Sequence, residues 1–383
     1  MGEGRSTLSR GQWALLVFAA VSASLLFVLV TGIGPDLPGP RLRETLGLAD
    51  PVRYEPCKLD RGEERTPASP RPARGRWRTE APLPLPRDEL GATALGGDVY
   101  LTNGHELGDD GMILSTGIVQ RFDPRSGKYD RLPETPIPLD HAVAAAYRDR
   151  LFIAGGYSEG VPSDRLFSYS PAERRWDELA PMDVSRASPA GAVTGGRLYV
   201  AGGIPKDAET EEPVNSVEAY DFETGSWSEV PAMPTPRHHH AATTLDGRLY
   251  VAGGRNPESF SLDAFERFDP RTEAWEELPG IPTGVGGPAA VAHGGEVIVI
   301  GGGDDEEADG LQPWVTGAVW AFEPERQGWR RLPDLRVPRH GFSATVLGDR
   351  IYAFGGAPCS GYGRTEVTES LSTAVITGPV KRR

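Results

Sequence analysis

Residues 196–203 read GRLYVAGG, and residues 247–254 spell the same eight residues 51 positions later. Degraded copies run along the chain as GGDVYLTNG, RDRLFIAGG, GGRLYVAGG, DGRLYVAGG, GGEVIVIGG and GDRIYAFGG, six in all. Their glycine pairs, with Asn103-Gly104 in the first copy, begin at 103, 155, 202, 253, 301 and 355. Spacings of 47 to 54 residues mark one supersecondary unit used repeatedly, and such a unit buries its apolar strands only by stacking on its neighbours.

A second motif follows each glycine pair except the last: FDPRSGKY, YSPAERRW, YDFETGSW, FDPRTEAW and FEPERQGW. Its two aromatics stand seven apart around a turn of Pro, Gly, Ser and Glu, which suits a hairpin whose strands each bury one ring. Each unit thus offers four short strands. The first is small and apolar (GATAL, AVAAA, PAGAV, AATTL, PAAVA, FSATV), as convergence of six copies on a crowded axis requires. The second is the LYVAGG type, whose glycines let the backbone turn out of the sheet.

The double glycines with spaced Tyr and Trp resemble the kelch-repeat family over roughly residues 76–374. That resemblance implies an all-β, six-bladed β-propeller with one four-stranded blade per repeat. Closure can be counted. The sixth copy runs through TEVTESL and stops without a Trp-led fourth strand, whereas RWRTEAPLPLPR, with Trp77, stands spare at the other end. Trp77 to Arg87 is ten residues, as are Trp176 to Arg186, Trp227 to Arg237 and Trp329 to Arg339. The N-terminal segment is therefore expected to complete the last blade and remove an exposed edge.

Ahead of the repeats, residues 11–33 contain the uncharged run WALLVFAAVSASLLFVLV, long enough for a transmembrane helix. Arg5 and Arg10 precede it and place residues 1–10 in the cytoplasm by the positive-inside tendency. The expectation is an uncleaved signal anchor, with signal cleavage and secretion as the alternative. Residues 34–75, rich in Pro, Arg and Glu, read as a stalk, and 375–383 as a C-terminal tail. A net charge of −14 disfavours nucleic acid as a partner. Cys57 in the stalk and Cys359 in the sixth repeat come into one neighbourhood if Trp77 joins that blade, so an extracytoplasmic disulfide between them is expected.

Sixteen residues before each glycine pair, in the loop leading to the innermost strand, stand Arg87, Leu139, Arg186, Arg237, Val285 and Arg339. The four arginines are candidates for an anion-binding ring around the axis. The other task open to that slot is to satisfy loop carbonyls and nearby acids. His141, His238, His240 and His340 lie beside the arginines, and Trp314 is a candidate aromatic anchor on the same face. Within His238-His239-His240, strand alternation would let only His238 and His240 converge, so no metal site is expected. No nucleophile–base signature, phosphate loop or cofactor motif is present. Copper oxidases of the galactose-oxidase type use a cysteine linked to a tyrosine, a role neither Cys57 nor Cys359 fits. The expected function is a membrane-anchored binding module for a protein or glycan. The alternative, on resemblance to sialic-acid mutarotases, is a sugar-acid isomerase with an axial Arg/His pocket.

Overall fold

Each repeat folds into a four-stranded antiparallel sheet. The computed structural model describes residues 75–376 except 109–111, 207–211, 305–313 and 360–362. All of these fall in the compact unit Arg53–Arg383. Residues 1–10, 11–33 and 34–74, and the tail beyond Ile376, lie outside the described residues, as does Cys57. No helix among the described residues is long and apolar enough to cross a membrane.

Six such sheets form the propeller. Blade 1 comprises Gly91–Leu95, Asp98–Thr102, Val119–Asp123 and Lys128–Leu132 from axis to rim. The innermost strands of blades 2 to 6 are Val143–Tyr147, Ala190–Thr194, Ala241–Leu245, Ala289–His293 and Ser343–Leu347. Crowding at the axis explains their small residues: a Cβ on Gly91 would sit 2.4 Å from the Ala144 Cβ of the next blade. In four blades the observed strand starts one residue later than the small-residue pattern suggests; in blades 3 and 5 the displaced residues are Pro189 and Pro288, which have no N–H to donate.

The last blade closes as the spacing predicts. Arg78–Thr79 pairs antiparallel with Thr368–Ser372, in the register Arg78↔Ser370 and Thr79↔Glu369. The spaced aromatics lie directly opposite each other across the two outer strands, as in Phe122↔Tyr129 and Tyr220↔Trp227. They also join blade to blade. Trp176 Nε1 donates to the Pro133 carbonyl at 3.0 Å, Trp227 to Ala180 at 2.7 Å, Trp275 to Pro231 at 2.7 Å and Trp329 to Pro279 at 2.8 Å. Trp77 donates to Pro333 at 2.8 Å and the Tyr129 hydroxyl to Ala81 at 3.0 Å, which completes a circuit of the rim through the closing strand.

A second circuit runs nearer the axis. In every blade the N–H of the second residue of the glycine pair donates to the slot carbonyl of the following blade. The bonds are Gly104 to Leu139 (3.0 Å), Gly156 to Arg186 (2.8 Å), Gly203 to Arg237 (2.9 Å), Gly254 to Val285 (2.8 Å), Gly302 to Arg339 (3.0 Å) and Gly356 to Arg87 (2.9 Å). These glycines have positive φ, and a Cβ on Gly156 would lie 2.4 Å from the Asp140 carbonyl.

Trp77 is fully buried and packs with Ile298, Val319 and Leu371. Trp77→Ala is expected to cost about 3–5 kcal/mol of unfolding free energy in urea titration. Trp275→Ala, at a half-exposed ring making the same kind of bond, should cost distinctly less. Equal or negligible losses would contradict the closure.

Candidate functional site

The site is set by backbone conformation. Two residues past each slot lie Glu89, His141, Ser188, His239, Gly287 and Gly341, all with φ between 49° and 61°. Left-handed backbone is costly for side-chain-bearing residues and persists only where surrounding bonds impose it. Here they do: Glu89 N–H donates to the Gly341 carbonyl (2.6 Å), His141 to Glu89 (3.0 Å), His239 to Ser188 (3.1 Å), Gly287 to His239 (2.7 Å) and Gly341 to Gly287 (3.0 Å). These five bonds form a chain around the axis, and Glu89, His141, Ser188 and His239 line an axial cavity of about 170 Å³.

An alternating run of acids and imidazoles crosses the mouth. His105 Nδ1 stands 3.2 Å from Asp88 Oδ1 and its Nε2 3.3 Å from Asp140 Oδ1. Asp140 Oδ1 lies 2.5 Å from His141 Nδ1, and its Oδ2 accepts from Ser115 Oγ at 2.5 Å. His141 Nε2 then faces Glu89 Oε2 at 3.3 Å and His239 Nε2 at 3.0 Å. His239 Nδ1 meets His238 Nδ1 at 2.5 Å.

These neighbours set the charges. Burial opposes a proton on His105, but Asp140 and Asp88 outweigh it and raise the imidazole to about 10. Burial likewise opposes a charge on His141, and Glu89 and Asp140 overcome it, to about 9. Burial would raise Glu89, yet His141, with help from His340 and His105, brings its carboxyl down to about 2. Asp140 is also lowered: His105 and His141 prevail over burial. On the other side of the mouth, burial and the Arg255 charge lower His238 to about 4 and hold His239 well below the usual imidazole value. The mouth therefore pairs a charged half with a neutral one.

The four slot arginines do not line this cavity. Arg87, Arg186, Arg237 and Arg339 are all 0% exposed and are spent inside their own blades. Arg87 donates to the Asn103 and Ile118 carbonyls at 2.7 and 3.0 Å, and to Gln120 Oε1 at 2.6 Å. Arg186 binds the Gly202 and Ser216 carbonyls and Glu218, the last at 2.8 Å. Arg237 binds the Gly253 and Ala264 carbonyls and Glu266 at 2.6 Å; Arg339 pairs with Glu369 at 2.5 Å. In three blades a sixteen-residue step therefore spans the slot and the carbonyl that its guanidinium satisfies, that of Asn103, Gly202 or Gly253. Where the slot is Leu139 or Val285, the facing third-strand residue is Phe167 or Trp320 in place of the acid or amide.

The remaining candidates divide. His141 is central to the mouth, and His238 touches it through His239. His240 lies in the lining of the axial cavity, with its buried ring turned toward Gly202. His340 is buried, with Nε2 2.9 Å from the Cys359 carbonyl. Trp314 is half-buried against the core around Tyr250 and Trp320, so it is not a projecting anchor. Glu89, His105 and His239 were missed by the sequence reading. His239 was set aside on strand alternation, which a left-handed residue does not obey; the readable signal was its place two residues beyond the slot.

The arginine reading yields a direct test. Arg186→Leu strands Glu218 in the blade and should cost about 3–5 kcal/mol. Adding Glu218→Phe copies the Leu139–Phe167 arrangement and should recover most of that loss in urea unfolding. Additive losses would contradict an internal structural role.

Residues 182–356 match the KLHDC2/KLHL20/DRC7 Kelch-repeats domain, and residues 138–183 match the Kelch motif. Kelch-like protein 33 of Homo sapiens is 33% identical over 135 residues, covering 34% of this chain and 25% of that protein. Kelch-like protein terF of Aspergillus terreus is 28% identical over 213 residues, 51% of this chain and 46% of its own length. The matches thus span a quarter to about half of these curated relatives. A solved structure titled Structure of YjhT superposes with a TM-score of 0.64 at 17% identity, over 76% of this chain and 99% of that one, a likeness of fold alone.

Proposed function

We propose, for a chain that belongs to the kelch-repeat β-propeller family, the role of a binding module that takes a protein ligand on the loop face around its axial mouth. One observation carries this reading. Among the described residues, the large apolar side chains left exposed are Leu107, Leu114, Val161 and Phe260, at 46, 47, 46 and 37%. All four lie on connections between the second and third strands of their blades, and none on the strands of the propeller body or the turns of the opposite face. Exposed apolar side chains gathered on one face are a mark of protein docking, and loops held by a rigid scaffold commonly supply it. The corresponding connections of blades 3 and 5 contain the acidic sequences KDAETEE and GDDEEAD, charge of the kind that steers association.

The runner-up, a sugar-acid isomerase, keeps an acid–base pair in Glu89 and His141, 3.3 Å apart in the cavity. It loses its anion-binding arginines, which are enclosed in the blades. The binding reading is therefore preferred.

Two proposals accompany it. The run at 11–33 anchors the chain with the propeller outside the cytoplasm, and Cys57 pairs with Cys359 to tie the stalk to the sixth blade; no described cysteine is free. Extraction of the chain by alkaline carbonate would count against the anchor, and two titratable thiols in denatured, unreduced protein against the bond.

For the docking role, cross-linking and affinity capture with the full chain from its own membrane fraction identifies the partner. Leu107→Ser with Leu114→Ser should weaken that partner's binding at least ~10-fold, about 1.4 kcal/mol, without lowering the melting temperature. Unchanged binding by this variant, or by one also carrying Phe260→Ser, would sink the proposal.

A further inference from the structure

We propose that Glu89, His141 and His239 form a site for a divalent transition metal of the zinc class, bridging blades 1, 2 and 4 across the axial mouth. This goes beyond the docking role, which rests on exposed loops and not on these three residues.

The donor geometry is the first ground. Each residue offers one ligand atom, and the three atoms lie within 4.8 Å of one another. His141 Nε2 is 3.0 Å from His239 Nε2 and 3.3 Å from Glu89 Oε2. Donors bound to one zinc at about 2.0–2.2 Å stand roughly 3.0–3.5 Å apart, so the ion fits with little adjustment. Two imidazoles and a carboxylate form the ligand set that leaves a coordination position open, here toward the cavity.

The surroundings are the second ground. Ligating imidazoles are usually oriented by a hydrogen bond from the ring's other nitrogen, often to a carboxylate. His141 Nδ1 donates to Asp140 Oδ1 at 2.5 Å, which leaves Nε2 to face the cavity. Asp140 is itself fixed by Ser115 and His105. His239 Nδ1 meets His238 Nδ1 at 2.5 Å, so a proton kept on Nδ1 leaves the His239 Nε2 lone pair for the ion.

The third ground is preorganisation. The three ligands come from equivalent positions in different repeats, and all three occupy left-handed backbone, with φ of 50°, 51° and 49°. Backbone bonds from Glu89 to Gly341, His141 to Glu89 and His239 to Ser188 hold them there. A positively charged ion at their focus would take the place of the proton now shared between Glu89 and His141.

Equilibrium dialysis of the tag-free full chain, stripped with chelator and exposed to Zn²⁺, tests the site; the visible spectrum of Co²⁺ gives an independent readout. The expected result is one Zn²⁺ per chain and a cobalt spectrum of low coordination number. Glu89→Gln and His239→Ala should each weaken binding by at least ~100-fold, and Asp140→Asn by roughly 10–100-fold. His293→Ala, at the far end of the inner strand Ala289–His293, should leave it unchanged. If a substituted chain fails to fold by circular dichroism, the cobalt spectrum of the unsubstituted protein decides. Absence of stoichiometric metal, a hydrated-cobalt spectrum, or binding indifferent to Glu89→Gln and His239→Ala would overturn the proposal.

Discussion

The hydrogen bond from each glycine pair to the slot carbonyl of the next blade is the interaction on which the remaining architecture rests. It occurs six times, from Gly104–Leu139 round to Gly356–Arg87, and it turns six separate sheets into a ring. A side chain on the donor residue would collide with the loop that enters its own blade, as the 2.4 Å approach of Gly156 to the Asp140 carbonyl illustrates. The slot residue serves both neighbours: its carbonyl receives the preceding blade, while in four blades its guanidinium satisfies carbonyls within its own. Rim indoles and the Tyr129 hydroxyl repeat the connection on the outside. The ring is thus fastened at two radii.

Function-bearing chemistry follows from that fastening. Because the slot is fixed, the residue two positions on is driven into left-handed backbone and its side chain brought to the axial cavity. Four blades place Glu, His, Ser and His there, and two place glycine; the Glu89 carboxylate lies over Gly341, where a Cβ would stand 2.2 Å from it. Its charges are arranged asymmetrically, with an acid–imidazolium run through His105, Asp140 and His141 against the neutral His238 and His239. Around this rigid centre the apolar loop residues stand out into solvent. On the proposed reading, this polar centre with an exposed apolar margin takes a macromolecular partner.

The repeat count, the blade limits and the closing strand were legible because each is a spacing, and spacings survive without side-chain detail. Trp77 could be assigned to the sixth blade by its ten-residue distance to Arg87 alone. The arginines were legible as a set but misplaced, since a repeated loop position suggests a lined cup as readily as a buried strut. The deciding clue was pairwise: Arg87, Arg186, Arg237 and Arg339 face Gln120, Glu218, Glu266 and Glu369, whereas Leu139 and Val285 face Phe167 and Trp320. A guanidinium that keeps company with an acid and vanishes with it belongs to the blade. His239 was lost to a rule valid for strands and broken by a single positive φ. Glu89 shares the His239 position two residues beyond the slot, but the six repeats place Glu, His, Ser, His, Gly and Gly there and residue identity alone does not mark the set; His105 had no counterpart in the other repeats.

Amide hydrogen exchange on Gly104, Gly156, Gly203, Gly254, Gly302 and Gly356 tests the ring most directly. The account predicts that all six exchange as slowly as amides of the second strands, through global unfolding only, with Gly356 no faster than the other five. Loop-like exchange at Gly356, with the rest protected, would mean that blades 6 and 1 are not joined and that the axial site is not held closed.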